Sequence, residues 1–112
     1  MANTNIEGWA TDRTVTTADS APSGASDGVD VSAGDIFAVQ THTLTAITDY
    51  DLQLWVYGNA AWSKARQGTF SAVGNSTWAD TFDVTCYTRA FVQVSAITGT
   101  SLKMSTRVAR AG

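Results

Sequence analysis

Few side chains in this sequence are equipped for chemistry. His42, the only histidine, sits in QTHTLT, and Cys86, the only cysteine, sits in FDVTCYTRAF. Nucleophilic catalysis needs a base beside a nucleophile and a carboxylate that orients the base. No spacing along the chain sets His42 beside either partner, and an ordinary strand histidine is expected. One histidine and one cysteine do not make the ligand set of a zinc site. Cys86 has no basic neighbour to lower its pKa and is expected to be a small buried hydrophobe. As a lone cysteine it forms no intrachain disulfide.

The aspartates are the next candidates. SDGVDVSAGD places Asp27, Asp30 and Asp35 around Gly28 and Gly34, an oxygen-rich stretch of the kind calcium favours. The spacing fits no EF-hand, and aspartate is common in turns because it bonds its own backbone. Asp80 and Asp83 in WADTFD form a carboxylate pair on paper, as glycoside hydrolysis requires. A small β-domain offers little depth for the substrate cleft. The glycines follow neither a phosphate-binding loop nor a dinucleotide fingerprint. The expectation is a non-enzymatic protein with no cofactor and no metal site.

Surfaces then have to carry the function, and DYDLQLWVYGNAAW is the informative stretch. In an extended strand, alternate side chains point to opposite faces. Leu52, Leu54 and Val56 share one face, fit for a core, while Asp51, Gln53, Trp55 and Tyr57 share the other. Trp62 follows just past a turn, and Phe91 is expected on the same outward side of a later strand. A large apolar patch does not stay bare on a soluble monomer. Three coverings are open: a subunit interface, where aromatics and arginine concentrate; a glycan or receptor; or the N-terminal segment folding over the strand. The interface is preferred, with Trp9, Arg13, Trp55, Tyr57, Trp62 and Phe91 as its candidate residues. Trp9 fits an arm that covers the strand or is exchanged with a neighbour.

The elements that position these residues are strands. Glutamate occurs once and leucine four times in 112 residues, while threonine, valine, serine, alanine and glycine abound. That is a composition poor in helix formers and rich in β-branched residues. From Asp35 onward, seven or eight short alternating stretches are separated by turn signals, which predicts an all-β antiparallel sandwich, jelly-roll-like or immunoglobulin-like. Turns are expected at Gly58-Asn59 and Gly74-Asn75, a break between the stretches AWSKARQ and TFSAV at Gly68, and a hairpin loop at Thr98-Gly99-Thr100. On the last strand Leu102, Met104 and Val108 are expected inward, and Lys103, Ser105 and Arg107 outward. Residues 1–34, rich in Ser, Ala, Gly and Asp and holding the only proline, read as an extended N-terminal arm and loop, with residues 35–112 as the sandwich domain.

Charge is divided along the chain. Residues 1–56 hold eight acids and one base, net −7, and residues 57–112 hold six bases and two acids, net +4. An overall −3 argues against general nucleic-acid binding. The preferred expectation is that the two halves interleave in one sandwich and cancel. The division also allows a bipolar surface that docks on neighbouring copies or on an acidic partner, with Asp27 and Asp30 on one side and Lys103, Arg107 and Arg110 on the other. No apolar stretch is long enough to span a membrane, and the first residues carry no secretory-signal pattern.

A polar start of the MANTN kind, a Ser/Ala/Gly-rich arm and the compact β-region DLQLWVYGNAAW … DTFDVTCYTRAFVQVSAITGTSLKMSTRVA resemble, in layout, the small virion proteins of tailed bacteriophages. The resemblance is greatest to capsid decoration, or cement, proteins. It implies a homo-oligomer, with a trimer favoured, made in the host cytoplasm. It also implies that the oligomer is seated on the major capsid protein at the outer surface of the virion, where it stabilises the shell. The N-terminal arm often makes the contacts, and there are no catalytic residues to assign. The alternatives are a glycan- or receptor-binding sandwich of a head or tail fibre, with Trp55, Tyr57 and Trp62 as its platform, and a tail-tube or connector component.

Overall fold

The alternation seen in the sequence becomes nine strands among the described residues of the computed structural model. It describes residues 4–5, 13–73 and 76–110, without the side chains of 4–5, 66–69 and 72–73. The strands are β1 (Thr4–Asn5), β2 (Arg13–Val15), β3 (Val29–Asp30), β4 (Ile36–Thr45), β5 (Asp49–Gly58), β6 (Ala61–Val73), β7 (Trp78–Asp83), β8 (Arg89–Thr98) and β9 (Ser101–Arg110). They form two antiparallel sheets. Sheet A runs β1-β9-β4-β7, with β2 also pairing β9, and sheet B runs β3-β8-β5-β6.

The pairings nest about one hairpin. β5 pairs β6, β4 pairs β7, β3 pairs β8 and β2 pairs β9, as in one long ribbon folded at the β5–β6 turn. Rolling that ribbon adds β4·β9 and β5·β8 and divides the strands between two layers. This order is a jelly roll, which decides between the two sandwich types expected. From β2 onward, consecutive strands other than β5 and β6 therefore change sheets. Thr98-Gly99-Thr100 is one such crossing rather than a hairpin loop, because β8 and β9 lie in different sheets. Gly99 (φ +141°) passes so close to the Ala46 carbonyl that a Cβ would collide with it.

The inward faces make one core. Phe37, Val39, Tyr50, Leu52, Leu54, Val92, Val94, Leu102 and Val108 are all nearly inaccessible to water. Burying each such aliphatic side chain contributes about 1.5–3 kcal/mol before the entropy of ordering is subtracted. β5 follows the expected alternation, with Leu52, Leu54 and Val56 inward. On β8 the alternation stops at Ala96, which is exposed, because the pairing with β5 shifts register between Asp51 and Leu52. Ser105 faces outward but is buried, with its hydroxyl 3.0 Å from His42 Nε2.

The turn expected at Gly74-Asn75 lies outside the described residues, and three other local expectations are corrected. The β5–β6 turn is centred on Asn59-Ala60, both at positive φ (52° and 63°), since Gly58 already pairs Ala61. β6 continues through Gly68 as one strand and absorbs the interruption as a register shift opposite Leu54. Cys86 is exposed, at φ 80° in the loop from β7 to β8, rather than buried. Its neighbour Val84 takes the core position instead.

Residues 13–34, read from composition as part of an arm, supply an edge strand to each sheet. β2 lies on β9 and β3 on β8. The stretch between them crosses from sheet A to sheet B. Among the described residues no helix is long and apolar enough to cross a membrane.

Candidate functional site

The outer face of sheet B gathers most of the candidate residues. Strand pairing sets its side chains in rows across β8, β5 and β6: Arg89, Tyr57 and Trp62 in one, Phe91, Trp55 and Lys64 in the next, and Gln93 and Gln53 in a third. Cross-strand neighbours of this kind are the contacts that stabilise a sheet surface. Tyr57 and Trp62 meet at 5.2 Å between ring centroids. Lys64 Nζ lies 5.7 Å from the centre of the Trp55 ring, and the Trp55 indole N–H donates to Gln93 Oε1 at 2.8 Å.

None of these four aromatic residues is freely exposed. Trp55, Tyr57, Trp62 and Phe91 are all half-buried, and Tyr87 is the exposed large hydrophobic among the described residues. The covering comes from the chain itself. Residues 19–28, hereafter the strap, lie along the free edge of β8 and meet the side chains of the outer face. The Asp19 backbone N–H donates to the Val94 carbonyl at 2.8 Å, and the Val94 N–H donates to Asp19 Oδ2 at 2.8 Å. Gln93 Nε2 donates to the Asp19 carbonyl at 3.1 Å. At the other end Arg89 donates to the carbonyls of Ser26, Asp27 and Gly28. Trp62 reaches over to donate its indole N–H to the Gly24 carbonyl at 2.9 Å.

Arg13 closes the arrangement from β2. Its guanidinium makes a bidentate pair with Asp19, at 2.9 and 3.0 Å, and donates to the Val92 carbonyl at 3.1 Å. It stands 5.3 Å from the centre of the Phe91 ring. A planar, always-charged fork suits this combination of carboxylate, carbonyl and ring face, and lysine would not reproduce it. Gly28 is required where the strap enters β3: φ is +73°, and a Cβ there would stand 2.5 Å from the Ala90 carbonyl.

Two of the three aspartates weighed for an ion, Asp27 and Asp30, are engaged in turns. Asp27 Oδ2 accepts the backbone N–H groups of Gly24 and Ser23, and these bonds hold its carboxyl below the usual range. Asp30 accepts from the hydroxyl and N–H of Ser32, with the same consequence. No group of three His, Cys, Asp or Glu residues among the described residues is placed to hold a metal ion.

The structure thus joins Arg13, Trp55, Tyr57, Trp62 and Phe91 in one surface. Asp27 borders it through the strap, while Asp30 sits at the sheet margin on β3. Lys103, Arg107 and Arg110 belong to β9 in sheet A; Lys103 pairs Thr14 and His42, and Arg110 donates to the Ala33 carbonyl. Trp9 lies outside the described residues. Sequence reasoning missed Asp19, Arg89 and Gln93. Only Gln93 carried a signal, its place in the alternation with Phe91. Comparison with known family models, with curated proteins and with solved structures gives no match to this chain.

Proposed function

We propose that this protein is a non-enzymatic structural component of a bacteriophage virion. In this reading it binds the outer capsid shell as a small homo-oligomer, a trimer, and stabilises the shell. The observation that carries the reading is the outer face of sheet B. Four half-buried aromatic residues and Arg13 are gathered there in one patch, rimmed by a hydrogen-bonded strap. Aromatic and arginine side chains at the centre with polar groups at the rim are the composition of protein interfaces. Acidic groups along the strap and β3, and basic ones on β9, offer complementary surfaces for neighbouring subunits. Lattice binding multiplies such contacts, so each copy needs only modest affinity.

The ring positions favour protein docking over a sugar platform. Stacking on a sugar needs an open ring face, whereas Lys64 stands over Trp55 and Trp62 leans on Tyr57. The virion setting comes from the layout of arm and β-domain and is an analogy of architecture.

The test begins with the solution mass by light scattering, with tryptophan emission recorded on the same sample. Sedimentation with capsids lacking the protein follows. A fixed oligomer with blue-shifted emission and saturable capsid binding is expected. Trp55→Ala should weaken the oligomer by about 2 kcal/mol or more if Trp55 sits at the interface centre. A monomer with quenchable emission and no capsid binding would overturn the reading.

A further inference from the structure

The sandwich is incompletely filled beside the strap. A hollow of about 310 Å³ opens between the margins of the two sheets, floored by Phe37, Val92 and Met104 and walled by Val29 and Phe91. A second, of about 320 Å³, lies on the strap side of the Phe91 ring and is bordered by Ala21 and Pro22. Phe91 and Gly28 line both. Protein interiors are otherwise close-packed, and an apolar void even of about 150 Å³ binds benzene. A space near 310 Å³ is at the lower end of the range for small-molecule sites.

The chemistry of the lining narrows the occupant. Arg13 is the charged side chain at the hollow, and its guanidinium is already matched by both oxygens of Asp19 and by the Val92 carbonyl. An anion would have to displace Asp19 and then be desolvated against an apolar floor. Thr106 also faces the hollow, half-buried, and its hydroxyl makes no hydrogen bond among the described residues. We infer that the hollow is a binding site for a small uncharged aromatic molecule bearing one hydrogen-bonding group, with its rings against Phe91 and Met104 and its polar group at Thr106. The flexible thioether of Met104 adapts readily to a flat ring.

The probe is N-phenyl-1-naphthylamine, which is neutral, carries one N–H and brightens when taken out of water. Titrated into the full chain, it should show saturable one-to-one binding with blue-shifted emission. Its anionic relative 8-anilino-1-naphthalenesulfonate should bind at least about tenfold more weakly, because the sulfonate finds no free partner. Thr106→Phe and Val29→Phe each place a ring in the hollow and should each weaken binding about tenfold or more, by displacing the probe's volume. Circular dichroism identifies the folded variants, and Val29→Phe, on a short edge strand, decides if Thr106→Phe does not fold. The site is refuted if the wild-type chain does not bind, or if a folded variant binds as the wild type does. Tighter binding of the sulfonate would overturn the uncharged class of ligand.

Discussion

Two groups of aromatic side chains lie on opposite faces of sheet B and are held by different means. On the outer face, Trp55, Tyr57, Trp62 and Phe91 are half-buried and tied by polar bonds to Gln93, Arg13 and the strap. On the inner face, Phe70 stacks on Trp78 at 4.9 Å, with Tyr50 and Phe82 on either side at 6.3 and 6.1 Å from their nearest ring. These four fill the space where the edge strands β6 and β7 of the opposed sheets approach. Tyr50 is fully buried, and its hydroxyl lies 2.9 Å from Thr41 Oγ1 and donates to the Ser76 carbonyl at 2.6 Å. The inner group is held by the removal of apolar surface from water. The outer group is held by a segment that must itself be pinned, and it is therefore the group that can be uncovered.

The largest expected effect lies on the inner side. Tyr50→Ala should destabilise the fold by about 3–5 kcal/mol, as truncation of a buried ring does. Trp62→Ala removes a larger side chain from the outer face but should cost about 1–2 kcal/mol, since that ring keeps part of its surface in water. Urea denaturation of both variants measures the difference. Equal losses would erase the distinction between the faces. Tyr50→Phe sharpens it: the ring stays and only the hydroxyl goes, at a cost of about 1–2 kcal/mol from the partners left unpaired.

The strap comes next. Asp19 accepts both Arg13 and the Val94 amide, so Asp19→Ala should cost about 1–3 kcal/mol. Its signature should be local. The Val94 amide should exchange faster, and protease should cut within residues 16–28, while the inner amides of β5 keep their protection. A variant that loses protection uniformly would show that strap and core unfold as one unit.

This division explains what could be read from the chain. Alternation in DLQLWVY and in RAFVQV is a property of neighbours two residues apart, so the inward faces of β5 and β8 were legible. The nested pairing was not, because β2·β9 and β3·β8 join residues some ninety and sixty positions apart. The same distance hid the covering of the aromatic face. Arg13 and Asp19 are only six residues apart, but what makes them useful is β8, which neither precedes nor follows them locally. Composition marked residues 1–34 as loop-rich, which the strap is. It carried no information on where the strap is tied, since those ties are mostly backbone carbonyls and amides. Cys86 failed for a related reason: the crossing from β7 to β8 demands a positive φ there, and that exposes a residue whose type favours burial.

The smallest expected effect concerns acid. Asp27 has its carboxyl held below the usual range by the amides of Gly24 and Ser23, so its contribution is complete above the ordinary carboxylate value. It is lost as pH falls from that value through the lowered one, because the unfolded chain then binds the proton first. Burial pushes the Tyr50 hydroxyl up instead, so that group keeps its proton throughout this range. Acid should thus loosen the strap before the inner rings. Cleavage within residues 16–28 should appear at a higher pH than the loss of near-ultraviolet circular dichroism. Asp27→Asn keeps an accepting oxygen without a titrating proton, and it should move the onset of cleavage to lower pH while leaving the global midpoint nearly unchanged. Should cleavage and unfolding share one midpoint in both proteins, the two faces would be equally held, and the Asp27 turn would not be what keeps the outer rings covered.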